Sequence, residues 1–214
     1  MKVEILKIEV KRANKLILGA RVLSAVFNPF YLPTVGLIVL FTMSYLSLLP
    51  LSYKMVVLGL VYIFTILLPT LLISLYRHHQ RWTLIELGQR ERRMVPYVIS
   101  ILCYFVCVYI MESMHIPHFM SSILVVALMI QILCSIVNVW WKISTHTAAI
   151  GGMAGAIASF SILFNYNPVF WLSVVFIVAG MLGTCRMILR QHSLSQVVVG
   201  FVLGAIVGFM VIYV

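Results

Sequence analysis

Three short polar clusters interrupt an otherwise apolar chain. They are Gln89-Arg-Glu-Arg-Arg-Met-Val-Pro96, Lys142-Ile-Ser-Thr-His146 and Arg186-Met-Ile-Leu-Arg-Gln-His-Ser-Leu-Ser-Gln196. Ionisable groups at or within a bilayer are costly and mark function more often than packing. Several arginines and two histidines, His146 and His192, together suit an anion held beside two imidazoles. Each cluster alone has a plainer reading. The arginines at 90, 92 and 93 are an orientation signal, His146 is a helix-start residue bonded to backbone, Arg186 is a snorkelling anchor, and His192 is an interface histidine. These readings weaken together, because all three clusters fall on one predicted face.

The elements that carry the clusters follow from composition. Of 214 residues, 63% are hydrophobic and 9% charged, whereas a soluble domain needs roughly a quarter charged residues to cover itself. The fold class expected is all-α: a polytopic membrane bundle of about seven transmembrane helices with an N-terminal interfacial helix. A span takes about 20 apolar residues, and the apolar runs place spans near 32–50, 55–76, 97–112, 119–141, 146–164, 169–189 and 194–214. Residues 1–30 form an amphipathic surface segment and residues 31–214 the bundle. Trp82, Tyr97, Trp140 and Trp141 are expected as anchors at one membrane interface. Ala148, Gly151, Gly152 and Gly155 in the fifth span, and Gly200, Gly204 and Gly208 in the seventh, let helix backbones approach closely. Cys103, Cys107, Cys134 and Cys185 have no metal-ligand spacing and are expected as small buried hydrophobes.

Charge sets the orientation and excludes some functions. Fourteen of the 15 Lys and Arg fall on the face with the clusters, and Lys54 alone on the other. Setting aside the six inside the clusters leaves eight against one, which puts this face and the N-terminus in the cytoplasm. The net charge of +10 suits anionic headgroups or anionic substrates. Nucleic acid is a poor partner for a chain this apolar. No Asp occurs, which sets aside prenyl transfer through carboxylate-held magnesium.

The order of the clusters resembles the type 2 phosphatidic acid phosphatase and vanadium haloperoxidase superfamily, in a small bacterial, inner-membrane form. The family's third motif is Ser-Arg, five residues, His, three residues, Asp and a glycine-rich helix. Here it reads Cys185, Arg186, His192 and Gln196, followed by Gly200 and Gly204. The second, Pro-Ser-Gly-His, reads Ile143-Ser144-Thr145-His146, and the first, Lys, six residues, Arg-Pro, has a looser counterpart in Arg90 to Pro96. The resemblance covers roughly residues 86–204.

A phosphoryl group spreads its charge over several oxygens and needs convergent cations and donors. The resemblance implies that His192 is the nucleophile, forming a phosphohistidine, and that His146 protonates the leaving oxygen. Gln196 stands where the family has its orienting Asp. Its carbonyl can fix an imidazole tautomer but brings no negative charge. Arg186 with Arg90 or Arg93, together with Lys142, Ser144 and the backbone around Thr145, would bind the phosphate. No cofactor or metal is implied. The expected partners are membrane lipids and a lipid phosphate or prenyl diphosphate substrate, which makes the chain a lipid-phosphate hydrolase. The alternatives are a catalytically weak or inactive lipid-phosphate binding protein of the same fold, and a small transporter.

Overall fold

The computed structural model describes residues 15–43, 45–81 and 94–213. Residues 15–26 form helix α1. The chain continues through α2 (Leu32–Met43), a 3-10 turn (Tyr45–Leu48), α3 (Leu51–His79), α4 (Met94–Ser113), α5 (His118–Trp140), α6 (Thr145–Leu163), α7 (Val169–Ile188) and α8 (Leu194–Tyr213). No strand occurs among the described residues. The chain is an integral membrane protein of the polytopic helical class.

Among the described residues six helices, α3 to α8, are long and apolar enough to cross a bilayer. The expected count was about seven. The run at 32–50 yields only the 12-residue α2 and a four-residue 3-10 turn. At 1.5 Å per residue α2 reaches about 18 Å, short of the ~30 Å hydrocarbon core. Hydropathy alone did not separate this run from a full span. It counted as helix the apolar residues that the 3-10 turn spends on closing towards α3, where Leu49 donates its N–H to the Leu46 carbonyl at 3.1 Å.

Helix α3 contains one wide turn, Ile63–Leu67, with π-type bonding. Pro69 follows directly and has no N–H to give the Thr65 carbonyl four residues back, so the ladder re-registers there. Thr65 and Thr70 help to hold this stretch by donating their hydroxyls to the carbonyls of Val61 and Ile66.

The core is apolar and tightly filled. Tyr104, Met111, Met120 and Leu124 are fully buried among α4 and α5, and all four cysteines are free and buried. The outward positions stay apolar as well, among them Phe105, Tyr109, Ile177 and Met210, as a lipid solvent allows.

Helices α6 and α8 meet along their glycines. A Cβ at Gly204 would land on the Ala148 carbonyl, one at Gly208 on the Gly152 carbonyl, and one at Gly155 on the Ala205 carbonyl. The helices therefore touch backbone to backbone, which no other residue type permits at these positions.

Four helix ends close through a non-glycine residue in the left-handed region: Arg81, His115, Asn165 and Arg190, with φ between 48° and 55°. At the end of α7 the Gln191 N–H bonds the Arg186 carbonyl at 3.1 Å and the Arg190 N–H bonds the Met187 carbonyl at 2.9 Å. These are the two bonds of a Schellman turn. It reverses the chain within five residues and delivers His192 to the start of α8.

Candidate active site

The start of α6 is fixed by Ser144. Its Oγ accepts the Thr147 N–H at 3.4 Å, and the Thr147 hydroxyl donates back to the Ser144 carbonyl at 3.1 Å. Ser144 is fully buried, so its oxygen serves first as the helix cap. The first N–H groups of α6, around Thr145, have no partner within the helix, and such an end attracts anions. His146 sits in this first turn.

The start of α8 is fixed by a second cap. Gln196 Oε1 accepts the Ser193 N–H at 3.1 Å. Ser193-Leu-Ser-Gln196 is the Ser-x-x-Gln form of the capping box, a signature that the sequence carries openly. The Gln196 backbone carbonyl also accepts the Ser144 N–H at 3.3 Å. One residue thus ties the cap of α6 to the cap of α8, and with them the two histidine segments.

The structure brings His146, His192, Arg186, Lys142 and Gln196 into one neighbourhood. His146 feels the charges of Arg186 and His192. His192 feels those of Arg186 and Lys142, and lies within hydrogen-bonding reach of the Gln196 side chain and the Lys142 backbone. Thr145 is half-buried beside them and Lys142 is exposed. Arg90, Arg92 and Arg93 lie outside the described residues.

Three nitrogens in this cluster are buried without a hydrogen-bond partner among the described residues: His146 Nδ1, His192 Nδ1 and Arg186 Nε. Buried polar atoms are almost always paired, and an exception calls for a reason. Three such exceptions fall on neighbouring side chains, all in residues expected to do anion chemistry; four others, on Thr34, Tyr104, Asn138 and Ser159, lie elsewhere in the bundle.

Burial, joined by the nearby charges of Arg186 and Lys142, pulls the His192 pKa down from 6.5 to about 4. The ring is therefore neutral at pH 7, with a lone pair available for attack. Its contacts with Gln196 and the Lys142 carbonyl work the other way without reversing the shift.

Two neighbours escaped the sequence reading. Ser24, on α1, accepts a hydrogen bond from Arg186 Nη1 at 2.8 Å. Tyr97, read as a membrane anchor, lies within electrostatic reach of Arg186 and accepts a long 3.5 Å bond from Asn138. Nothing in a lone serine within a basic, amphipathic stretch signals such a contact. For Tyr97, the position one residue past Pro96, at the edge of the first cluster, was the available sign.

An apolar cleft lies inside the bundle and reaches the neighbourhood of the site at Thr145. Its walls include Leu32 and Gly36 of α2, Ile123 and Ile130 of α5, and Thr145 to Phe160 of α6. Those 15 residue steps along α6 amount to ~22 Å.

No curated protein and no solved structure matches the chain. The sequence model of the PAP2 superfamily matches residues 135–214, which run from the last turns of α5 through α6, α7 and α8. The matched stretch contains the whole of the second and third polar clusters, with both histidines and Arg186. Residues 135–214, and with them the paired-histidine site, are thus similar to the PAP2 superfamily, over about two fifths of the chain.

Proposed function

We propose that the chain is a lipid-phosphate phosphatase in which His192 is the nucleophile and His146 the general acid. The family match supports phosphoester hydrolysis as the reaction class. The observation that carries the finer reading is the trio of buried, unpartnered nitrogens on His146, His192 and Arg186.

In the first step a ring nitrogen of His192, with Nδ1 the unpartnered one, attacks phosphorus. The bond from phosphorus to the lipid oxygen breaks, and that oxygen takes a proton from His146, whose imidazolium form is stabilised by the negative charge of the bound phosphate. In the second step His146, now neutral, takes a proton from water. The hydroxide attacks the phosphohistidine, the P–N bond breaks, and inorganic phosphate leaves. Arg186, the α6 N-terminus and Lys142 hold the phosphoryl oxygens while their charge develops.

The apolar cleft supports a lipid substrate, because a hydrocarbon chain entering it at Thr145 would have a ~22 Å apolar path beside α6. The charge asymmetry supports a cytoplasmic site. A panel of phosphatidic acids and prenyl phosphates, assayed for phosphate release in detergent, tests the reading. Turnover of lipid but not of short water-soluble esters is expected.

Gln196 favours one second reading. Its Oε1 is engaged in the α8 cap and offers no charge to an imidazolium, and loss of the comparable carboxylate in a catalytic triad costs about 10⁴ in rate. A protein that binds lipid phosphate without turning it over would fit that arrangement. Binding with no turnover and no phosphohistidine would move this reading ahead.

The depressed His192 pKa gives a pH prediction. Only the neutral ring attacks, so kcat/KM should fall as pH drops through about 4, well below the 6.5 of a free imidazole. A pH profile of kcat/KM with its acid limb near 6.5 would show that His192 is not the neutral group described here.

A further inference from the structure

Ser24 belongs to neither of the clusters in the matched segment, yet it touches the site. It lies in α1, and in the bundle it is only 7% exposed, beside Ala20 at 4% on the same helix face. The apolar residues Leu18, Val22 and Val26 point the other way and are exposed. Helix α1 therefore has a membrane-facing stripe and a packed stripe, and the packed stripe ends on Arg186.

Two contacts converge on this serine. Its Oγ accepts a hydrogen bond from Arg186 Nη1 at 2.8 Å. Its backbone carbonyl lies within hydrogen-bonding reach of the His146 ring. Because Oγ accepts from the arginine, its own O–H is left to donate, and among the described residues no hydrogen bond donated by it is found. Arg186 Nε is buried and has no partner among the described residues, so Ser24 engages only one edge of the guanidinium and leaves another for a ligand.

We propose that Ser24 is a positioning residue of the phosphate site, holding the Arg186 guanidinium in place and offering its own hydroxyl proton to a phosphoryl oxygen. Helix α1 thereby completes the oxyanion cradle from outside the matched segment, with Arg186 bridging the serine and the phosphate. The inference rests on the phosphatase reading for what the cradle holds.

The test uses the full chain in detergent and two variants of one shape, Ser24→Thr and Ser24→Val, which differ in the hydroxyl alone. Inhibition by orthovanadate and hydrolysis of dioctanoyl phosphatidic acid are measured for each. A hydrogen bond to a charged group is worth enough that its loss should weaken vanadate inhibition and raise KM by about 10-fold or more, with a smaller change in kcat. Ser24→Thr should recover most of the loss that Ser24→Val suffers. The backbone carbonyl near His146 is common to both, so the difference reports on Arg186. Ser24→Ala, smaller than the native residue, repeats the comparison if the larger side chains lower the melting temperature.

Equal behaviour of Thr and Val, whether both wild-type or both impaired, overturns the inference. So does tighter vanadate binding in Ser24→Val or Ser24→Ala, since Ser24 would then be a competitor for Arg186. If the wild-type protein neither binds vanadate nor releases phosphate, the phosphatase reading has failed before any variant is compared. If the wild type turns over and the variants match it, only the role of Ser24 has failed.

Discussion

Replacing His192 with alanine should abolish phosphate release, by about 10⁴-fold or more, as removal of a covalent nucleophile does elsewhere. The expectation rests on a neutral ring with an unpartnered nitrogen beside Arg186. His192 is half-buried just before α8, and the start of that helix is capped by Ser193 and Gln196. The variant should therefore stay folded and still bind orthovanadate through Arg186 and the α6 N-terminus. Acid-labile label trapped from a radioactive lipid phosphate should appear on the wild type and be absent from His192→Ala. Retained activity in this variant would remove His192 from the mechanism. His146→Ala is expected to separate the steps: slow release from a natural lipid, but formation of the phosphohistidine largely preserved with a leaving group that needs no proton.

The second large effect concerns the contact that sets the distance between the two histidines. Gly204 has no room for a methyl group, since a Cβ there falls on the Ala148 carbonyl and close to the Gly152 nitrogen. Both obstacles are backbone and cannot rotate away. Gly204→Ala should cost ~1–3 kcal/mol, the usual penalty of overpacking, and Gly204→Val more. The helices must separate to accept either, and separation carries the α6 cap, with His146, away from the α8 cap, with His192. Loss of turnover at temperatures where the protein is still folded is the expected signature, read by phosphate release alongside thermal unfolding in detergent. Gly180→Ala is the control. A Cβ at Gly180 meets nothing within 4 Å, so that change should leave activity intact and add slightly to helix stability. An unaffected Gly204→Val enzyme would mean that the backbone contact is not what registers the site.

The sequence made the bundle legible wherever an apolar run was bounded by clear turn residues. The spans drawn at 119–141, 146–164 and 169–189 fall within one or two residues of α5, α6 and α7. Pro117, Ser144 and Pro168 stand at their starts, and these residue types begin helices for local reasons. The run at 32–50 misled because hydropathy measures solvent preference and not hydrogen-bonding register; a 3-10 turn of leucines is as apolar as a helix of them. Gln196 was read only against the missing carboxylate, although the Ser-x-x-Gln spacing announced its capping bond to Ser193. Ser24 was not readable at all. Its partner lies 162 positions away, and a contact of that separation depends on how α1 docks against α7, which no local pattern encodes.

The four left-handed helix ends carry a meaning for how much this chain has given up. A left-handed residue other than glycine costs roughly 1–2 kcal/mol, and glycine would relieve much of it while asking for some unfolded-state entropy in return. Arg81, His115, Asn165 and Arg190 are therefore four places where the chain keeps a side chain at the expense of thermal tolerance. Two of the four are arginines on the face that holds the site. At those ends charge density near the headgroups has outweighed backbone ease, so glycine there would trade attraction for anionic lipid against heat resistance.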